Sequence, residues 1–163
     1  MINLRKMTDS ESVEFNVLCI NELSEVFSLS MPEDVAKKKA EEEQYSLLSA
    51  GINTKDHFLF TITQDEKKIG SIWFAKLKKK QKYIAFIFYI GIDENLRGKG
   101  LGTTAMKMVE AEINKIGVNI VRLHVLKSNS AAIKMYQNLG YKIYTDYDKY
   151  DINDPGNIME KLL

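Results

Sequence analysis

The run Arg97-Gly98-Lys99-Gly100-Leu101-Gly102 brings together two cations, three glycines and the first turn of an apolar helical pattern. It follows the apolar stretch 83–92 and opens a pattern of helical period over 101–116. A strand that turns through glycines into a helix is a ready anion site. The glycines let backbone N–H groups approach a phosphate closely, and the helix N-terminus adds partial positive charge. Binding of a phosphorylated cofactor is therefore the first chemistry to expect. Two common nucleotide loops fail here. A Walker loop needs Gly, four residues and then Gly-Lys-Ser/Thr, but Gly98-Lys99 is followed by Gly100 and position 93 is Asp. A dinucleotide fingerprint needs a third glycine where Thr103 stands, and its strand opens a βαβ unit rather than lying mid-chain. What remains is Arg-x-x-Gly-x-Gly at Arg97, Gly100 and Gly102.

A second block lies about one βα unit further on. Asn129, Ala132, Tyr136, Gly140 and Tyr141 spell Asn-x-x-Ala-x-x-x-Tyr-x-x-x-Gly-aromatic. The two blocks, in this order, resemble the acetyl-CoA loop and the following signature of the GNAT superfamily of N-acetyltransferases, and the glycine loop and closing segment are most similar to its small bacterial members. The likeness is close over residues 83–148; residues 1–82 match in the order of elements alone. It implies that backbone N–H groups of Gly98, Lys99, Gly100, Leu101, Gly102 and Thr103 hold the pyrophosphate of acetyl-CoA. Arg97 opens the loop, and the Thr103 hydroxyl touches a phosphate oxygen. Ile90 and Ile92 would pair with the pantetheine arm through their backbone, where a main-chain amide also polarises the thioester carbonyl as an oxyanion-hole donor does. Asn129 would bond the pantetheine, cap its own helix, or do both. Tyr136 falls where the family keeps a general acid for the departing thiolate; the other reading is a buried aromatic beside Ala132 and Leu139.

The general base is not legible. An alkyl ammonium has a pKa of about 10.4 and must lose a proton before it attacks. Many family members place a carboxylate on the strand before the loop, but residues 83–92 contain none. Tyr89 could relay a proton through water. His124 has a suitable intrinsic pKa, although a lone strand histidine is often structural.

These groups need elements to position them. Ile2 to Met7 alternates as a strand; a helix follows Asp9 or Ser10 with a stripe of Val13, Val17, Ile20, Leu23 and Phe27. Pro32-Glu33-Asp34 starts a second helix that runs toward Leu48 and stops near Gly51. Strands are expected over 57–63, 68–78 and 83–92, the last apolar on both faces and so central. Strict alternation would put Phe86, Phe88, Ile90 and Ile92 on one face and Ala85, Ile87, Tyr89 and Gly91 on the other. Helix 101–116, strand 119–125, helix 129–138 and strands near 141–148 and 157–162 complete the order β-α-α-β-β-β-α-β-α-β-β. The fold class expected is α/β (α+β), with a mixed, mostly antiparallel sheet of about seven strands, helices on both faces, and one domain over 1–163.

Composition narrows the function. A chain of 163 residues with 45% hydrophobic and 28% charged residues suits one globular domain. The net charge of +1 gives no bulk argument for nucleic acid or an anionic membrane. The basic hairpin Lys76–Lys82 reads as a solvated turn that discourages edge pairing. Cys19 is the single cysteine, so no internal disulfide forms; it sits on an apolar helical face as a buried thiol. A cytoplasmic location is the default expectation, with no metal and no nucleic-acid or membrane partner. Homodimers are frequent in the superfamily. The acidic, Tyr-rich segment around Asp146, Asp148, Asp151 and Asp154, with the first two helices, would build the acceptor pocket by resemblance. The expected function is direct transfer of acetyl from acetyl-CoA to a primary amine, small-molecule or peptide, in a ternary complex. The alternative is an acyl-CoA sensor without turnover.

Overall fold

A computed structural model describes residues 1–163. The first strand, β1 (Ile2–Lys6), leads into helix α1 (Asp9–Phe27) through a complete capping box. The Thr8 side chain accepts from the Glu11 amide at 3.3 Å, and Glu11 Oε2 accepts from the Thr8 amide at 3.0 Å. Arg5 then grips the same carboxylate with two N–H groups, at 2.8 and 2.7 Å. The Arg5 contact, above all, holds the Glu11 carboxyl far below the usual carboxylate range. Its folded pKa lies under its unfolded value, so the contribution is present above about pH 4 and fades as the pH falls. Glu11→Ala should cost about 1–2 kcal/mol at pH 7, with a smaller penalty at pH 3, in urea denaturation. An equal penalty at both pH values would mean that the charge is not what matters.

Helix α2 (Glu33–Leu47) is followed by strands β2 (His57–Gln64), β3 (Lys67–Lys79) and β4 (Lys82–Ile92). Then come α3 (Leu101–Lys115), β5 (Ile120–Leu126), α4 (Ser130–Asn138), β6 (Lys142–Ile143) and β7 (Gly156–Leu162). The sheet order is β1-β2-β3-β4-β5-β7-β6. Every pair is antiparallel except β4 and β5, which the α3 crossover forces to run parallel. This is the mixed, mostly antiparallel seven-stranded sheet expected.

Two cores flank the sheet. The larger packs Phe74, Ile62, Ile72, Ile87 and Leu123 against Ala105, Met106, Val109 and Ile113 of α3. The smaller packs Phe15 and Cys19 of α1 against Leu59 and Trp73. No helix is long and apolar enough to cross a membrane.

Three local expectations need correction. On α1, Val13 and Val17 are exposed, and Phe15, Cys19 and Ile20 are the buried apolar residues. The helix is turned so that its Phe15 ring meets Trp73 and Tyr89 edge-on. The strand expected over 141–148 is only Lys142–Ile143, after which the chain leaves the sheet. Most important, β4 does not alternate strictly. Trp73 pairs with Tyr89 but Phe74 pairs with Ile87, so Phe88 is an extra residue on β4. Phe88 and Tyr89 consequently both pack toward the small core, while Ile87, Ile90 and Ile92 belong with the large one.

Candidate active site

The loop after β4 is closed by its own arginine. Arg97 Nε donates to the Ile92 carbonyl at 2.9 Å, tying the loop to the strand end. Gly98 and Gly100 take φ of +77° and +76°, a region that L side chains avoid. Gly100 is the N-cap of α3, and no side chain caps that helix. The first backbone bond of the helix is Thr104 N–H to Gly100 O, at 3.1 Å. The N–H groups of Leu101, Gly102 and Thr103 therefore stand unpaired at the positive end of the helix. No acidic side chain occupies this first turn.

Beside the loop the sheet opens. β4 and β5 pair at only three positions, Ala85–Val121, Phe86–Arg122 and Ile87–Leu123. Beyond Ile87 the two strands part, at the point where Phe88 bulges. Backbone groups of β4 that would have faced β5 are left free for another extended chain. The parting forms a cleft of about 1320 Å³ that reaches from the α3 N-terminus to the walls of α1 and α2. Its dimensions, its unpaired strand edge and its ring of free N–H groups fit a long, thin, phosphate-bearing ligand such as coenzyme A.

Titratable side chains collect on the α1/α2 side of this cleft. Glu22 of α1 opens to solvent along the cleft but has protein on several sides, and its carboxylate faces the Tyr89 phenol. Burial first, then neighbouring Glu25, pushes the Glu22 carboxyl up; Arg97 and Tyr89 pull it partly back. Burial and the same carboxylate raise the Tyr89 phenol. Across from them, His124 Nε2 lies 3.4 Å from Asp154 Oδ1, which also accepts from the Gly156 amide at 2.7 Å. Burial pushes Asp154 up, but that amide and His124 outweigh it and hold the group below the ordinary carboxylate range. The His124 ring occupies the space a Cβ would take on Gly156. Cys19 also lines the cleft, but burial raises its thiol far above neutrality, so it is no nucleophile.

Comparison with known proteins identifies the group to which a chain with this cleft belongs. Residues 20–141 match the Acetyltransferase (GNAT) family. The chain belongs to that family. It is an acetyltransferase. It is 27% identical over 141 residues to the uncharacterized N-acetyltransferase YdgE of Bacillus subtilis (strain 168), a match that spans 85% of this chain and 90% of the relative. Its fold superposes on the crystal structure of the acetyltransferase YycN of Bacillus subtilis with a TM-score of 0.82, at 24% identity, over 93% of this chain and 99% of that one. The PaiA N-acetyltransferase of Thermoplasma acidophilum, solved in complex with coenzyme A, superposes with a TM-score of 0.65, at 19% identity, over 100% of this chain and 99% of that one.

Within this GNAT acetyltransferase, most residues singled out from the sequence meet at the cleft. Ile90, Ile92, Arg97, Gly98, Gly100, Leu101, Gly102, Thr103 and Asn129 all line it. Asn129 caps α4, its Oδ1 accepting from the Ala132 amide at 3.2 Å. Lys99 and Tyr136 are not on its surface. Lys99 reaches only toward the Asn95 carbonyl at 3.5 Å. From α4 the cleft receives Ala131, Ala132 and Met135, while Tyr136, next in sequence, packs edge-on against Tyr141 in the large core. Sequence reasoning missed Glu22. Nothing local marks it: it is one of several acidic residues on a polar helix, and its meaning comes from the strand it crosses.

Proposed function

We propose that this protein is one acetyltransferase domain, spanning 1–163, that moves an acetyl group from acetyl-CoA to a primary amine within a ternary complex. The observation that carries the reading is the set of unpaired N–H groups at Leu101–Thr103, opening beside two left-handed glycines onto the cleft where β4 and β5 part. Bound acetyl-CoA would supply a thioester whose carbonyl carbon is open to an amine and whose sulfur can leave. The loop amides of 98–103 hold the pyrophosphate, with Arg97 keeping the loop against Ile92 and Lys99 adding positive charge at its outer edge. The free backbone of β4 at Ile90 and Ile92 aligns the pantetheine arm, and a bulge amide donates to the carbonyl oxygen. Asn129 serves the arm as well as its helix. Holding donor and acceptor together supplies much of the rate.

Tyr136, the next residue after Met135 of the cleft wall, is the acid proposed for the departing sulfur, and its hydroxyl must reach the cleft when the pantetheine is bound. Burial pushes its phenol up to about 12, so it stays protonated across the working range. A higher phenol pKa opposes the transfer, and the same apolar surroundings offset this by raising the proton affinity of a thiolate formed beside it. Tyr136→Phe should lower kcat by about 100-fold and leave coenzyme A affinity within a factor of about 2. An unchanged kcat would remove Tyr136 from the reaction and leave it a core residue.

The acceptor side carries Glu22 and Glu43 from the helices and Asp154 from the last loop, a surface suited to a cationic amine. The test is free-thiol release from acetyl-CoA with spermidine, an aminoglycoside and lysine peptides. Turnover with one of them establishes the reaction and names its acceptor class. Coenzyme A binding with no turnover across a broad amine panel would instead support an acyl-CoA-binding module.

A further inference from the structure

The strand before the loop carries no carboxylate, yet one faces it from across the cleft. Glu22 projects from α1 toward Tyr89 of β4, one residue past the bulge that frees the strand amides. Tyr89 is held there by two contacts of different kinds. Its ring packs edge-on against Phe15 of α1 at 5.2 Å. Its phenol lies directly over the Cα of Gly91: a Cβ on Gly91 would collide with the Tyr89 hydroxyl and stand 2.8 Å from its Cζ. Tyr89 and Glu22 line the same cleft. Gly91 is thus the seat that lets the phenol fold forward along the strand. Arg97, fixed to the Ile92 carbonyl, adds positive charge on the same side.

We propose that Glu22 is the base that takes the ammonium proton of the acceptor, and that Tyr89, seated on Gly91, positions its carboxylate; this rests on the acetyltransferase reading above. An N–H bond of the ammonium breaks and the proton bonds to a Glu22 oxygen. The freed lone pair forms the C–N bond as the C–S bond breaks. Two protons leave the nitrogen in all: one passes through Glu22 to solvent, and the other replaces the proton that Tyr136 gives to the sulfur.

The surroundings tune Glu22 for this role. Cys19 and Glu25 face it from its own helix, Tyr89 from β4 and Arg97 from the loop, with Lys39 and Glu43 of α2 on the same cleft. Burial and Glu25 raise its proton affinity and so narrow the gap to an ammonium, while Arg97 and Tyr89 offset part of that rise. The carboxylate is also complementary in sign to the incoming cation. The competing titratable group, His124, has its Nε2 turned to Asp154 on the other wall.

The experiment is a pH profile of kcat/KM, with the best amine of the panel, for wild type, Glu22→Gln, Tyr89→Phe and His124→Asn, beside coenzyme A titrations of each. Glu22 opens to solvent along the cleft and Gln conserves its shape, so Glu22→Gln keeps the fold. It should lower kcat/KM by about 100-fold, with coenzyme A affinity retained, and abolish the acidic limb. Tyr89→Phe removes the hydroxyl that holds the Glu22 proton affinity down, so the acidic limb should move to higher pH, a shift that lost packing alone would not produce. His124→Asn should keep the limb. The proposal is overturned if Glu22→Gln retains the limb at its wild-type midpoint, or if His124→Asn is the variant that loses it. A second measurement is independent of turnover: the side-chain carboxyl ¹³C resonance of Glu22 in the coenzyme A-bound protein should titrate above the ordinary glutamate range, and higher still in Tyr89→Phe. An ordinary titration there also overturns it. A wild type that binds coenzyme A but acetylates no amine would count against the acetyltransferase reading itself, and the Glu22 resonance would still decide the carboxylate.

Discussion

Gly100→Val is expected to weaken coenzyme A binding by at least about 100-fold, equivalent to ~2.8 kcal/mol, while the protein stays folded. Gly100 sits at φ +76° as the N-cap of α3, where a β-branched residue costs about 1–3 kcal/mol of backbone strain. A Cβ there meets no protein atom within 4 Å, so the fold does not resist the side chain. What resists is the backbone conformation that aims the first-turn amides, together with the space a phosphate would fill. Gly117 supplies the control. It has φ +74° and equally open surroundings, but it ends α3 far from the cleft. Gly117→Val should show a comparable stability loss and bind coenzyme A as wild type does. Calorimetric titration and thermal melting of both variants separate strain from recognition. Wild-type affinity in Gly100→Val would show that the loop amides are not the pyrophosphate site.

Phe74→Ala should carry the largest stability penalty of any change considered, about 3–5 kcal/mol in urea denaturation. The Phe74 side chain is fully buried, stacked on Phe58 at 4.9 Å and nearly parallel to Phe60 at 6.1 Å. Truncation leaves a cavity between strands that have no freedom to close it. Domains of this size are typically stable by only about 5–15 kcal/mol, so the loss is a large share of the whole. Phe74 also pairs with Ile87 at the edge of the β4 bulge. Its removal should therefore loosen the strand opening and weaken coenzyme A binding beyond the unfolded fraction. A penalty below about 1 kcal/mol would mean that the aromatic stack does not hold this part of the sheet.

Local chemistry was readable along the chain, and relations between distant segments were not. The glycine loop and the α4 signature are contiguous, and their function follows from backbone conformations that glycine and a capping Asn dictate on their own. Residues 97–103 and Asn129 could therefore be named in advance, and all but Lys99 lie on the cleft. The element order was equally legible, because hydrophobic period and turn residues are short-range signals. The bulge at Phe88 was not. It is a mismatch between β3 and β4, and strict alternation in one strand cannot register an extra residue relative to its partner. Two positions of the α1 stripe failed for a related reason, while Ile20 and Cys19 are buried as expected: Val13 and Val17 are as apolar as Phe15, and only the docking angle of α1 against Trp73 and Tyr89 decides which is buried.

The amino-acid sequence by itself determined that this chain builds a glycine turn between a central strand and a helix, within a GNAT acetyltransferase fold. Only the tertiary structure decided what faces that turn. Bringing α1 across β4 set Glu22 against Tyr89, and folding the last loop under β5 set Asp154 against His124. A carboxylate's proton affinity and reach depend on burial and on neighbours supplied by other elements, so no reading of residues 83–92 alone could have found the carboxylate on the facing wall of the cleft.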